Sequence, residues 1–155
     1  MADQEQQRIV VGVDGSDFSV AALRHAKLFG DALGCAVEAV AARRYQVAPG
    51  TLAPVRWSPA DDAERVLNDA LARAYGDQPP ADLRSRTVQG QPAKALIEAG
   101  RGARMLVLGS RGHGGFTGLL LGSVTAACAA HAPCPVVIVR SDPGEDPART
   151  GKDSW

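Results

Sequence analysis

Aromatic residues are scarce: the 155 residues hold two Trp, two Tyr and three Phe. That is poor material for a platform on which single-stranded bases would stack. Charge of one sign is lacking too. Seventeen Lys and Arg balance seventeen Asp and Glu, so no basic excess draws the chain to nucleic acid or to an anionic membrane. No run of about 18 apolar residues occurs, and no transmembrane helix is expected. The opening MADQEQQ lacks the apolar centre of a signal peptide, so a cytoplasmic location is expected. The three cysteines, Cys35, Cys128 and Cys134, are odd in number and form no C-x-x-C pair, which argues against a disulfide framework. His25, His113 and His131 lie far apart and make no metal pattern. Both sets read as surface or packing residues.

What is present suits one globular domain. Apolar residues make up 45% and charged residues 22%, and a chain of this length buries about 68–70% of its unfolded surface without staples. Arg8 to Val13 is a β-branched run stopped by Asp14-Gly15-Ser16. Its continuous apolar character predicts a strand buried on both faces, as in a parallel sheet. A helix over about 18–33 follows, with Ser16, Asp17 or Ser19 as cap, a stripe of Ala22, Leu23, Ala26, Phe29 and Leu33, and Gly34 as its end. Cys35 to Ala42 reads as strand 2. Residues 43–60, rich in proline, read as a long surface connection. A second helix over about 60–75 carries the stripe Ala63, Val66, Leu67, Ala70, Leu71 and Ala74. Residues 83–89 alternate as an outer strand, and Gly90-Gln91-Pro92 leads into helix 3 at about 92–101. Met105 to Leu108 is an interior strand, residues 119–131 a fourth helix ended by Pro133 and Pro135, and Val136 to Val139 the fifth strand. Residues 1–7 and 142–155 read as disordered, leaving a domain over 8–141.

Strands and helices that alternate in this way predict an α/β fold built on a doubly wound parallel sheet. Ligands of such sheets bind beyond the carboxyl ends of the strands, where the strand order reverses. The segment after strand 4 is the richest in chemistry: Gly109-Ser110-Arg111-Gly112-His113-Gly114-Gly115-Phe116-Thr117-Gly118 runs on to Gly122-Ser123-Val124-Thr125. Glycines let backbone N–H groups turn inward as an anion nest. The following helix adds its positive end, and Ser123 and Thr125 add hydroxyls. A plain flexible linker has the same composition, and glycine richness alone does not choose between the two. Other nucleotide motifs are missing. There is no GxxxxGK[ST], no GxGxxG after strand 1 and no G-x-S-x-G elbow.

The spacing Gly109-x2-Gly112-x9-Gly122-Ser123 resembles the nucleotide motif of the ATP-binding branch of the universal stress protein family. Ile9 to Ser16 resembles that family's first strand and turn, and Ala130 to Val139 its closing segment. The resemblance implies a five-stranded sheet in the order 3-2-1-4-5 with helices on both faces and an ATP pocket between strands 1 and 4. It implies that Asp14 contacts ribose or adenine, and that Ala42 meets adenine through its backbone. Gly109, Gly112, Gly122 and Ser123 would meet phosphates and ribose, with Ser110, Arg111 and Val124 as further contacts. His113 stands where the family often has Arg, which would make phosphate binding weaker or pH-dependent. Arg43 and Arg44 follow strand 2 outside the motif; meeting a phosphate and facing water are both open to them, and water is the favoured reading.

The implied function is an ATP-binding stress-response sensor or regulator, at most a slow ATPase, with Mg²⁺ arriving on the nucleotide. ATP, AMP and cyclic AMP are not distinguished. An interaction module with a vestigial pocket and a nucleotide hydrolase are the alternative classes. The resemblance also implies a homodimer paired through strand 136–139, whose apolar edge has no Pro, Lys or Glu to blunt it.

Overall fold

The computed structural model describes residues 7–43, 59–112 and 121–145. His113, Arg44, the glycines 114, 115 and 118, most of the 43–60 connection, residues 1–6 and residues 146–155 lie outside the described residues. The elements run β1 (Arg8–Gly12), α1 (Asp17–Leu33), β2 (Ala36–Arg43), α2 (Pro59–Tyr75), β3 (Arg84–Gln89), α3 (Pro92–Ala99), β4 (Met105–Gly109), α4 (Ser123–His131) and β5 (Val136–Val139). The five strands form one parallel sheet in the order β3-β2-β1-β4-β5.

Alternate residues of the strands feed two apolar layers. Ile9, Val11, Val37, Ala39 and Val107 pack against α1 and α2 through Leu23, Ala26, Leu67 and Ala70. Val10, Val40, Leu106 and Leu108 pack against α3 and α4 through Leu96, Ala99 and Cys128. Ile9, Val10 and Val11 are fully buried, as the unbroken apolar run predicts for a strand covered on both sides. β3 is an edge strand whose first three residues are exposed. Among the described residues, one charged side chain is buried in this interior. Glu38 is buried in β2 and takes Arg8 Nε at 3.4 Å and Arg86 Nε at 2.8 Å, so it is paired as a buried carboxylate must be.

The ends of α1 follow local chemistry. Ser16 caps it by accepting from Ser19 N, and Gly34 ends it in the left-handed region at φ 68°. Several sequence expectations need adjustment. Leu33 belongs to no buried stripe and is 45% exposed, because it stands in the last turn, beside the Gly34 reversal toward β2. α3 stops at Ala99, with Gly100 as its C-cap. β2 runs one residue further than expected, to Arg43, whose carbonyl accepts from Gly90 N at 3.0 Å. α4 begins at Ser123 rather than 119, with Gly122 as N-cap. The polar tail, expected to be disordered from 142, is held at its start. Arg24 Nη1 meets Asp142 Oδ1 at 2.5 Å, and His25 Nε2 lies 3.0 Å from Ser141 O.

Candidate functional site

The strand order reverses between β1 and β4, and both strands end there in a turn. β1 delivers Asp14. Its Oδ1 accepts from Ser16 N at 2.9 Å and from Ser16 Oγ at 2.5 Å. The carboxylate is thereby oriented by the same serine that caps α1. Arg73 of α2 reaches this turn, donating to Gly15 O at 3.3 Å and pairing with Asp17. Arg73 and Ser16 are contributors that the sequence reading missed. Ser16 stood there only as a possible cap, and no local signal brings α2 to the β1 turn.

β4 delivers Gly109, Ser110, Arg111 and Gly112. A Cβ on Gly112 would collide with Asp14 Oδ2, so the Asp14 carboxylate lies directly against the Gly112 backbone. Gly122, at the start of α4, closes the loop. Its N–H donates to Ser110 O at 2.8 Å. A Cβ there would stand 3.5 Å from Arg111 Cα and 3.5 Å from Gly112 N. Asp14, Gly112 and Gly122, separated by about a hundred residues of chain, are thus brought together at the switch point. α4 has no side-chain cap; its first N–H groups and dipole face this loop end, the arrangement that favours an anion. Ser123 is exposed and Val124 half-buried on its first turn, and Arg111 is half-buried.

Three residues of this segment have roles in the fold. A Cβ on Gly109 would lie 2.6 Å from Phe18 Cβ and 2.9 Å from Phe18 O, so glycine is needed there for α1 to pack. Thr125, offered above as a hydroxyl donor to phosphate, is buried, and its Oγ1 donates to Gly109 O at 2.7 Å. Ser110 is buried too, and its N–H is committed to Val139 O at 2.8 Å.

Ala42 stands on the other flank of β1. The β1–β2 register ends at Gly12 and Val40, with a last bond from Val13 N to Val40 O at 2.9 Å. In a parallel pair, main-chain groups alternate between the two neighbouring strands. Arg43 O is used by Gly90 on the β3 side. Ala42 therefore turns its N–H and C=O toward the side of β1, two residues past the last registered partner. Among the described residues no group of three metal-ligating side chains occurs, and no helix is long and apolar enough to cross a membrane.

The sequence and the fold are similar to those of known proteins. The sequence profile of the universal stress protein family matches residues 6–140. A universal stress protein of Mycolicibacterium smegmatis is 36% identical over 135 residues, covering 85% of this chain and 45% of that protein. One from Mycobacterium tuberculosis is 34% identical over 142 residues, covering 90% of this chain and 47% of its own length. The chain thus spans about half the length of these curated relatives. Among solved structures, a universal stress protein in complex with cAMP superposes with a TM-score of 0.67 at 30% identity, covering 88% of this chain and 98% of that one. The Archaeoglobus fulgidus universal stress protein in complex with dAMP superposes with a TM-score of 0.62 at 18% identity, over 87% of this chain and 98% of that one. Fold, strand order, loop spacing and these matches agree: the chain belongs to the universal stress protein family.

Proposed function

We propose that the chain binds an adenine nucleotide, ATP foremost, at the β1–β4 switch point and serves as a nucleotide-dependent regulator in a stress response. The observation that carries this reading is the meeting of the Asp14 carboxylate, the Gly112 backbone and the N-cap of α4 at Gly122. The α4 end and the Gly112 N–H supply donors for phosphate. Asp14 supplies an acceptor for ribose hydroxyls, and the Ala42 main chain offers one donor and one acceptor to the adenine edge. Arg111, Ser123 and Val124 border the same space. Gly109 and Ser110 act by shaping the loop. The cAMP and dAMP complexes named above support an adenine nucleotide as the ligand class.

Mg²⁺ would come with the phosphates rather than on a protein cluster. The site offers binding groups, and its carboxylate is tied to Ser16. Binding without contacts reserved for a transition state does not accelerate chemistry, so hydrolysis is slow at most. We also propose a homodimer through β5. It is an edge strand with three of four residues half-buried, and the segment after it turns to Arg24 and His25 of α1. Antiparallel pairing about a two-fold axis would close that edge.

Calorimetric titration of ATP, AMP and cAMP tests the reading. A charged acceptor lost from a ligand hydroxyl costs about 1.5–3 kcal/mol. Asp14→Ala is therefore expected to weaken ATP about 10- to 100-fold. Equal affinity in folded wild type and variant contradicts the site.

A further inference from the structure

Arg43 ends β2, one residue beyond Ala42. Among the described residues its Nε is the buried side-chain nitrogen or oxygen that has no hydrogen-bond partner. Five other arginines, Arg8, Arg24, Arg73, Arg86 and Arg101, pair with carboxylates, and Arg43 is in none of those pairs. Buried N–H donors in folded proteins are almost always partnered. A guanidinium cannot escape the penalty by losing its proton, since it stays charged at any physiological pH. The backbone beneath it is fixed, because Arg43 O accepts from Gly90 N at 3.0 Å. The side chain continues the parity of Val37, Ala39 and Ala41, which face the α1–α2 layer. It therefore leaves the carboxyl end of β2 on the α1–α2 face, one residue past Ala42, and β2 lies on the opposite side of β1 from β4 and its glycine loop.

We infer that Arg43 is a ligand-binding residue whose Nε–H donates to an acceptor at the base end of the bound nucleotide. The inference rests on the nucleotide reading above and adds to it a residue outside the glycine motif. A guanidinium has donors only, so its partner must be an acceptor, such as a purine ring nitrogen. The phosphate chain, held at Gly112 and Gly122, lies toward β4. The base, read at Ala42, lies toward β2, which places the acceptor at the base end.

The test compares wild type with Arg43→Met and Arg43→Lys by calorimetry against ATP and adenosine, with thermal melting of the ligand-free proteins. Methionine keeps most of the apolar stem and removes the unpartnered donor. Arg43→Met should melt at or above the wild-type temperature without ligand, and should bind both ATP and adenosine about tenfold more weakly. Arg43→Lys keeps the charge but not the Nε–H, and should lose as much. Unchanged affinity in Arg43→Met overturns the inference. A loss confined to ATP overturns the base-end assignment, and full recovery by lysine overturns the role of Nε–H. Wild-type protein that binds neither compound defeats the nucleotide reading itself, a result distinct from all of these.

Discussion

Replacing Gly122 with alanine separates binding from folding. Gly122 has φ −67° and ψ 160°, a conformation open to any L-residue. The added Cβ would stand 3.5 Å from Arg111 Cα, 3.5 Å from Gly112 N and 3.8 Å from Ser110 O, all ordinary contacts. The unfolded chain loses freedom, which favours the variant by about 0.4–1 kcal/mol. Alanine is a poorer N-cap than glycine, at a cost of similar size. The two offset each other, and at ~2–4 °C per kcal/mol for a domain of this size the melting temperature should stay within about 3 °C of wild type. Binding has no such compensation. The methyl group would lie against the Gly112 N–H, which the proposed site offers to phosphate. Losing one hydrogen bond to a charged group costs about 1.5–3 kcal/mol, or roughly 10- to 100-fold in affinity. Gly122→Val extends the obstruction and should abolish ATP binding. Calorimetry with ATP, beside differential scanning of the ligand-free proteins, reads both quantities. Folded Gly122→Ala and Gly122→Val proteins with wild-type affinity would refute the reasoning.

Three further outcomes are expected. Gly109→Ala should fail in the opposite way: its Cβ would stand 2.6–2.9 Å from Phe18 atoms, backbone included, and overpacking of about 1–3 kcal/mol should lower the melting temperature by several degrees; an unchanged melt would contradict it. Burial pushes the Cys128 thiol up from 9.0 to about 11, with Cys134 nearby adding to the shift. The fold thus favours the neutral thiol. Its contribution is complete below about pH 9 and is lost as pH rises toward 11, by up to about 1.4 kcal/mol per pH unit. Urea unfolding between pH 8 and 10.5 should show that decline, and Cys128→Ala should flatten it; equal slopes in both proteins would exclude Cys128 as the source. For β5, light scattering of wild type should give twice the monomer mass. Pro135 O and Val139 O accept from β4, so Ile138 turns its N–H to the free edge, and Ile138→Pro should halve the mass by removing that donor; a monomeric wild type at micromolar concentration would remove the dimer.

The parts legible in the sequence are those governed by local rules. Ile9 to Val11 and Leu106 to Leu108 announce doubly covered strands by composition alone, and Ser16 and Gly34 mark the ends of α1. The strand order 3-2-1-4-5 came from family resemblance, because alternation of strands and helices fixes only the fold class. Of the candidate residues, Asp14, Gly112 and Gly122 lie close together at the switch point. The remainder depended on contacts between distant segments. That Gly109 also makes room for Phe18 is visible only in the fold. Thr125 looks like a ligand donor until its hydroxyl is found on Gly109 O. Arg73 carries no local mark of the turn it holds at Gly15. Glu38 inside an apolar strand is explained only by Arg8 and Arg86, which arrive from β1 and β3.

The central claim is that Asp14, Gly112 and the start of α4 form an adenine-nucleotide site. The most direct measurement is mass spectrometry of the small molecules released when the full chain, purified without added nucleotide, is denatured, followed by titration of the emptied protein with ATP. The account predicts an adenine nucleotide in the released fraction, or saturable binding of one ATP per chain after refolding. Release of no nucleotide together with no heat of binding for ATP, AMP or cAMP would contradict it.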